Sequence, residues 1–154
     1  MTTHTVYIGL GANLNQPLEQ LRQAKIAIAQ LPKTFIVATS SIYQSQPLGP
    51  QDQPDFLNAV LQITTEFSPQ ELLIALQTIE QQQGRQRTQH WGPRTLDLDI
   101  LLFDDQIIDQ ADLKIPHPEM LNRAFVLVPL AEIAPEKVVS PIVAEGLLKL
   151  TVAW

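Results

Sequence analysis

Apolar and polar residues change rhythm several times along this chain. Val6, Ile8 and Leu10 alternate with polar or small residues, the two-residue period of a half-buried strand. Pro17 then opens a helical pattern with Leu18, Leu21, Ala24, Ile28 and Leu31 on one side, closed by Pro32. "FIVATSSIY", 35–43, is β-branched and reads as a strand. In "FLNAVLQIT", 56–64, Leu57, Ala59, Leu61 and Ile63 take one face, and Phe56, Asn58, Val60 and Gln62 take the other. "SPQE", 68–71, is a capping box with proline at the first helical position. It starts a helix that turns Leu72, Leu73, Leu76 and Ile79 inward and stops near Gly84.

"TLDLDILLF", 95–103, is a further strand, and "DDQIID" a tight turn into a short one. From Met120 onward "LNRAFVLVPLAEIAP" predicts a helix that must accommodate or kink at Pro129. "EGLLKL", 145–150, is a weak helix candidate. The order β-α-β-β-α-β, then short strands and helices, predicts an α+β fold. It is a ferredoxin-like split βαβ plan, with a mixed, mostly antiparallel sheet and helices packed on it.

The length, 154 residues, suits a single domain over 1–154 with a real core. Hydrophobic content of 45% and charged content of 17% fit a globular rather than a disordered chain. A net charge of −6 disfavours a general nucleic-acid binder. The absence of cysteine removes disulfides, thiolate catalysis and cysteine-based metal centres. No signal peptide is legible at the N-terminus and no apolar run is long enough to span a bilayer, so no membrane role and a cytoplasmic location are expected.

Charge matters most where it is uneven. Three of the five arginines, Arg85, Arg87 and Arg94, lie within ten residues, and no Asp or Glu occurs from Gln81 to Leu96. That is either a solvated basic loop or an anion site. Directly after it come Asp97 and Asp99. Two residues apart on a strand, both carboxylates project from one face, while Leu96, Leu98 and Ile100 go to the other. The two negative charges repel, a cost that a divalent cation removes. Mg²⁺ suits them, since it takes oxygen ligands and commonly uses one or two carboxylates together with substrate phosphates. A D-x-D pair alone is common on solvent-facing strands; joined to the arginine segment it points to a metal–polyphosphate site. No P-loop is present, and "GLGANL", 9–14, lacks the third glycine of a dinucleotide fingerprint.

These motifs together resemble the 6-hydroxymethyl-7,8-dihydropterin pyrophosphokinases of folate biosynthesis. The resemblance rests on "QQQGRQR", "HWGPR" and "RTLDLDI", on "PLGPQDQPDFLNAV" at 47–60, and on "IPHPEMLNRAFVLVPLAEIAP" at 115–135. It implies transfer of pyrophosphate from ATP to the pterin hydroxymethyl group, assisted by two Mg²⁺ ions, with release of AMP. By the same resemblance, Asp97 and Asp99 hold the metals, and Arg85 and Arg94 act on the triphosphate. Arg87 and Trp91 belong to a mobile loop over ATP. Gln77, Glu80, Ile100, Lys114, His117 and Arg123 line the nucleotide site. Phe56 and Phe125 sandwich the pterin, whose edge meets Asn58 and backbone groups of Ser45, Gln46, Pro47 and Leu48. Gly11 and Asn13 fall in a first mobile loop. The chain departs from the family pattern in a segment between Arg87 and Trp91 that is one residue shorter, and in His90, Gln46 and Pro118.

The residue types fit these roles on their own terms. An aromatic beside an amide on one strand face suits a flat, hydrogen-bonding heterocycle, although Phe56 and Phe125, each taken alone, read as core residues. His117 could be a rigid loop residue between two prolines, and Trp91 a loop anchor. Two other readings remain: a ferredoxin-like module that senses a nucleotide without turnover, and an RNA-binding α+β domain, which the net charge opposes. The expected protein is a monofunctional monomer acting on ATP and 6-hydroxymethyl-7,8-dihydropterin, with no nucleic-acid partner.

Overall fold

The alternation at the N-terminus produces strand β1, His4–Ala12, longer than the Val6–Leu10 pattern alone implies. In the computed structural model, residues 2–14, 16–45, 54–84, 95–138 and 146–154 are described. Helix α1, Pro17–Ala29, follows with proline at its start and buries Leu21, Ala24 and Ile28. It ends before Leu31 and Pro32. Strand β2, Thr34–Thr39, and strand β3, Tyr43–Ser45, replace the single strand expected over 35–43. The interruption has a physical basis at Ser40. Its backbone N–H donates to Val60 O at 3.0 Å, and its hydroxyl accepts the Val60 N–H at 2.9 Å. A side chain thus takes a place that a ladder carbonyl would otherwise hold.

Strand β4, Phe56–Thr65, leads to helix α2, Pro69–Gln82, whose capping box is formed as expected: Ser68 accepts from Glu71 N while Glu71 accepts from the Ser68 N–H. Gly84, at φ 82°, follows the helix in the left-handed conformation glycine favours. Strand β5, Asp97–Phe103, is followed by the short β6, Ile108–Asp109, and β7, Lys114–Ile115. After a single 3₁₀ turn at Met120–Asn122 comes helix α3, Ala124–Ile133, with Pro129 buried inside it. The helix expected from Met120 onward therefore starts in two pieces. Strand β8, Leu148–Lys149, lies where a weak helix was expected.

The main sheet runs β5-β1-β4-β3-β8, with β2 also paired to β4. Every pairing among the described residues is antiparallel. This is the ferredoxin-like order with its second strand broken in two. One face carries Val6, Ile8, Leu10, Leu57, Leu61, Ile63, Leu98 and Ile100 into a core with Leu21, Ile28, Leu72, Leu76 and Ile79 of α1 and α2. The opposite face is shared. Tyr7, Val60 and Leu101 pack with Met120, Leu130 and Ala134 around α3, and the remainder of that face holds the carboxylates and Asn58.

Candidate active site

Register sets the site. On β5, Asp97 lies opposite Gly11 and Asp99 opposite Gly9 of β1. Directly opposed residues of an antiparallel pair share a face, so neither aspartate has a β1 side chain beside it. Across the other edge of β1, Gly11 pairs with Asn58, and Asn58 in turn with Tyr43 of β3. One row across four strands therefore reads Asp97, Gly11, Asn58, Tyr43. The two-residue period is borne out: Leu96, Leu98 and Ile100 are in the opposite core, and Asp97 and Asp99 are half-exposed. Gly11, expected in a loop, is a buried strand residue, and Asn13 is buried with its amide donating to Pro54 O at 2.8 Å.

The donor set suits a hard cation. Both carboxylates offer oxygens only, from one face, and both are half-exposed. Among the described residues no group of three or more His, Cys, Asp or Glu side chains could hold a metal by itself. Mg²⁺ suits such a pair, since it commonly takes one or two carboxylates together with waters and substrate oxygens.

His117 stands at the same place. Its backbone N–H donates to Leu101 O at 3.0 Å, and its Nε2 is 3.9 Å from Asp99 Oδ1. Nδ1 accepts the Glu119 N–H at 3.3 Å. The neutral ring therefore carries its proton on Nε2, aimed at the carboxylate side as a donor. Arg123 pairs with Glu119 Oε2 at 2.5 Å, and its guanidinium carbon is 5.7 Å from the centre of the Phe125 ring. Phe125, in the first turn of α3, is half-buried and lies outside both cores, as does Phe56 at the start of β4.

Asn58 is only 8% exposed. Its Oδ1 accepts from Ser45 Oγ at 3.3 Å, which joins two of the expected pterin contacts. Glu80, expected to line the nucleotide site, is also buried, and its Oε2 accepts the Leu98 N–H at 2.7 Å. That bond holds β5 from below, midway between the two aspartates. Gln77 is exposed one turn earlier on α2. Ile100 turns its side chain into the helix-facing core rather than toward the carboxylates. Lys114 lies on the separate β6–β7 ribbon, where its Nζ is 2.6 Å from Asp109 Oδ1. Arg85, Arg87, Trp91, Arg94, Gln46, Pro47 and Leu48 lie outside the described residues.

A group that the sequence did not single out ties α3 to the sheet. Glu132 accepts from Ser41 N at 3.0 Å, Ser41 Oγ at 2.7 Å and Tyr43 Oη at 2.8 Å. Lys149 Nζ approaches it at 3.9 Å. Burial alone would raise the Glu132 carboxyl, but the Ser41 and Tyr43 hydrogen bonds and Lys149 together hold it below the usual glutamate range. Burial first, then the bond to Glu132, pushes the Tyr43 phenol up to about 12. Because Tyr43 pairs with Asn58 and Phe125 is on α3, this tie links the helix that carries Phe125 to the strand row that carries Asn58.

The family model for 7,8-dihydro-6-hydroxymethylpterin-pyrophosphokinase matches residues 7–135. A Haemophilus influenzae protein named 2-amino-4-hydroxy-6-hydroxymethyldihydropteridine pyrophosphokinase is 60% identical over 134 residues, covering 87% of this chain and 84% of that protein. A Pseudomonas aeruginosa protein of the same name is 55% identical over 131 residues, covering 85% and 81%. Among solved structures, an HPPK-DHPS in complex with substrates matches 88% of this chain with a TM-score of 0.65 at 15% identity. A Plasmodium falciparum HPPK-DHPS matches 85% with a TM-score of 0.62 at 13% identity. This chain spans only 41% of each of those two longer chains, and the likeness to them is one of fold.

Proposed function

The chain belongs to the 7,8-dihydro-6-hydroxymethylpterin-pyrophosphokinase family, and on that premise we propose how its residues carry out the family's reaction. Pyrophosphate passes from ATP to the hydroxymethyl group of 6-hydroxymethyl-7,8-dihydropterin, a step of folate biosynthesis. The observation that carries this reading is the strand row Asp97, Gly11, Asn58. It sets a carboxylate pair and a buried amide on one face, two strand spacings apart, roughly 10 Å. That distance suits a heterocycle at one end and a polyphosphate at the other.

The pterin end is supported by Asn58, whose amide can match the donor–acceptor edge of the ring, with Ser45 beside it. Phe56 and Phe125 supply the two faces, and Arg123 keeps its guanidinium close to Phe125. At the other end Asp97 and Asp99 are the metal-holding residues, for two Mg²⁺ ions. When bound, Mg²⁺ neutralises the triphosphate and templates an in-line displacement. His117 directs an N–H toward the phosphate side, where it can donate to an anionic oxygen. Arg85 and Arg94, with Arg87 and Trp91, take the roles their sequence motif implies: charge stabilisation and cover over ATP. Glu80 acts on this site through β5, by fixing the strand between the two aspartates.

The hydroxymethyl oxygen forms a bond to the β-phosphorus as the bond to the bridging oxygen of the α-phosphate breaks. AMP leaves, and the hydroxyl proton is released. Positioning and electrostatics carry most of the acceleration, as is general for phosphoryl transfer. We take the chain as a single domain over 1–154, a monomer acting on these two small molecules without nucleic acid or membrane. ATP as co-substrate fits the cytoplasm, and no described helix is long and apolar enough to cross a membrane.

The test is incubation with ATP, Mg²⁺ and the reduced hydroxymethylpterin, with products resolved by chromatography. AMP and the pterin diphosphate should appear in equal amounts with little ADP. ADP with a pterin monophosphate would refute the reaction, and binding of both substrates without turnover would favour a nucleotide-sensing module.

A further inference from the structure

We propose that Gly11 is the positioning residue for Asn58: its missing side chain is the space in which the Asn58 amide lies. The proposal rests on the reading of Asn58 as a pterin contact and goes beyond it, because it assigns a role to a residue that acts through the Asn58 side chain. A Cβ built on Gly11 would stand 2.8 Å from Asn58 Nδ2 and 3.9 Å from its Cγ. Real Cβ atoms essentially never approach a neighbour below 3.0 Å. The conflict is therefore with the functional amide itself.

Three further observations narrow the role. Gly11 does not owe its identity to backbone conformation, since the described glycines at positive φ are Gly84 and Gly146. It sits inside β1, paired with Asp97 on one side and Asn58 on the other. Nor can Asn58 step aside freely. Its side chain is 8% exposed, and Ser45 Oγ holds its Oδ1. To reach the 3.4 Å of an ordinary contact, a methyl group at position 11 must push Nδ2 by about half an ångström and loosen the Ser45 bond. Displacements of this size are enough to spoil a hydrogen bond to a rigid ring. Gly9 gives an internal comparison. Its added Cβ would meet Leu101, a core side chain, at 3.3 Å, and the Asn58 amide is not among its nearest neighbours.

The experiment is a double-mutant cycle on the full chain, reading the dissociation constant of the hydroxymethylpterin with Mg²⁺ and a non-hydrolysable ATP analogue present. Affinity for the analogue alone is measured in parallel. Gly11→Ala should weaken pterin binding about tenfold, the size of one good hydrogen bond lost, and change analogue binding less than about twofold. Asn58→Ala should also weaken the pterin. The double variant should bind no worse than Asn58→Ala alone, because the methyl then has nothing to displace. Gly9→Ala should leave pterin affinity within about twofold. If Gly11→Ala fails to fold, the Asn58→Ala background should restore folding.

Losses that multiply in the double variant would overturn the proposal. So would a Gly9→Ala loss equal to that of Gly11→Ala, or a Gly11→Ala that stays unfolded with Asn58→Ala. An Asn58→Ala variant with unchanged pterin affinity would instead overturn the underlying site reading, and the proposal with it.

Discussion

Asp97 and Asp99 project from a strand whose other face is fully engaged in the core, so their side chains can be removed without opening a cavity. Asp97→Ala and Asp99→Ala should each fold normally by circular dichroism. Mg²⁺-dependent turnover should fall by roughly two orders of magnitude or more, because an unneutralised triphosphate resists attack. Near-normal turnover in the double variant would remove the metal assignment. Phe125→Ala should weaken the pterin about tenfold, since a stacked ring contributes roughly 0.5–1.5 kcal/mol beyond its area; calorimetry should find ATP-analogue binding little changed. At this scale much was legible from the chain. Asp97 and Asp99 declare themselves through a period of two, and Phe56 and Asn58 through their place opposite Leu57 and Ala59. Gly11 did not, because "GLGANL" reads as a flexible turn until its neighbours across the sheet are known.

Elements carry what single residues could not announce. Helix α2 begins where its capping box says, and Ser68→Ala should lower stability by about 1 kcal/mol in urea titration. Helix α3 is different. Its apolar run gives no hint of the partners of Glu132, and Ser41 is 91 residues away in sequence. Glu132→Ala should cost about 2–3 kcal/mol, because it strips hydrogen bonds from a charged acceptor, and it should loosen pterin binding more than ATP binding. The pH dependence follows from the shifts. A glutamate held below its ordinary 4.5 stabilises fully above that pH and loses its contribution as pH falls through the lowered value. Tyr43, raised from 10.0 to about 12, stabilises fully below pH 10 and loses its contribution as pH climbs through about 12. The gap in melting temperature between wild type and Glu132→Ala should therefore be wide at neutral pH and narrow in acid. A gap that stays constant down to pH ~3 would dissociate Glu132 from the tie.

For the molecule as a whole, one sheet serves two tasks on two faces: α1 and α2 cover one, while α3 and the site divide the other. The last described stretch, 146–154, lies beyond the family match at 7–135, and the helix that "EGLLKL", 145–150, weakly suggests is not what its described residues form. Leu148 and Lys149 instead pair with β3, since an open strand edge outweighs a weak local preference. The stretch is fastened at several points. Leu150 N donates to Ile42 O at 2.8 Å, Trp154 Nε1 to Ser40 O at 2.8 Å, and Arg22 Nη2 to Ala153 O at 2.7 Å. Lys25 Nζ lies 5.0 Å from the Trp154 ring centre. Trp154→Ala should lower stability by about 2 kcal/mol, less than for a fully buried tryptophan. Activity at low temperature should survive, as thermal melts and assays on one preparation can show.

The strand added at β3 also has a bearing on how copies of the protein behave in a crowded solution. Beside it on the same side of β4 is β2, which has no outer strand among the described residues and exposes Phe35 and Val37. An open edge with bare apolar side chains invites strand-to-strand stacking between molecules. Where β8 lies, that invitation is withdrawn. Losing 147–154 would lengthen the sticky rim from β2 into β3, and the first symptom should be turbidity that climbs with protein concentration, at temperatures where the remaining fold is still intact.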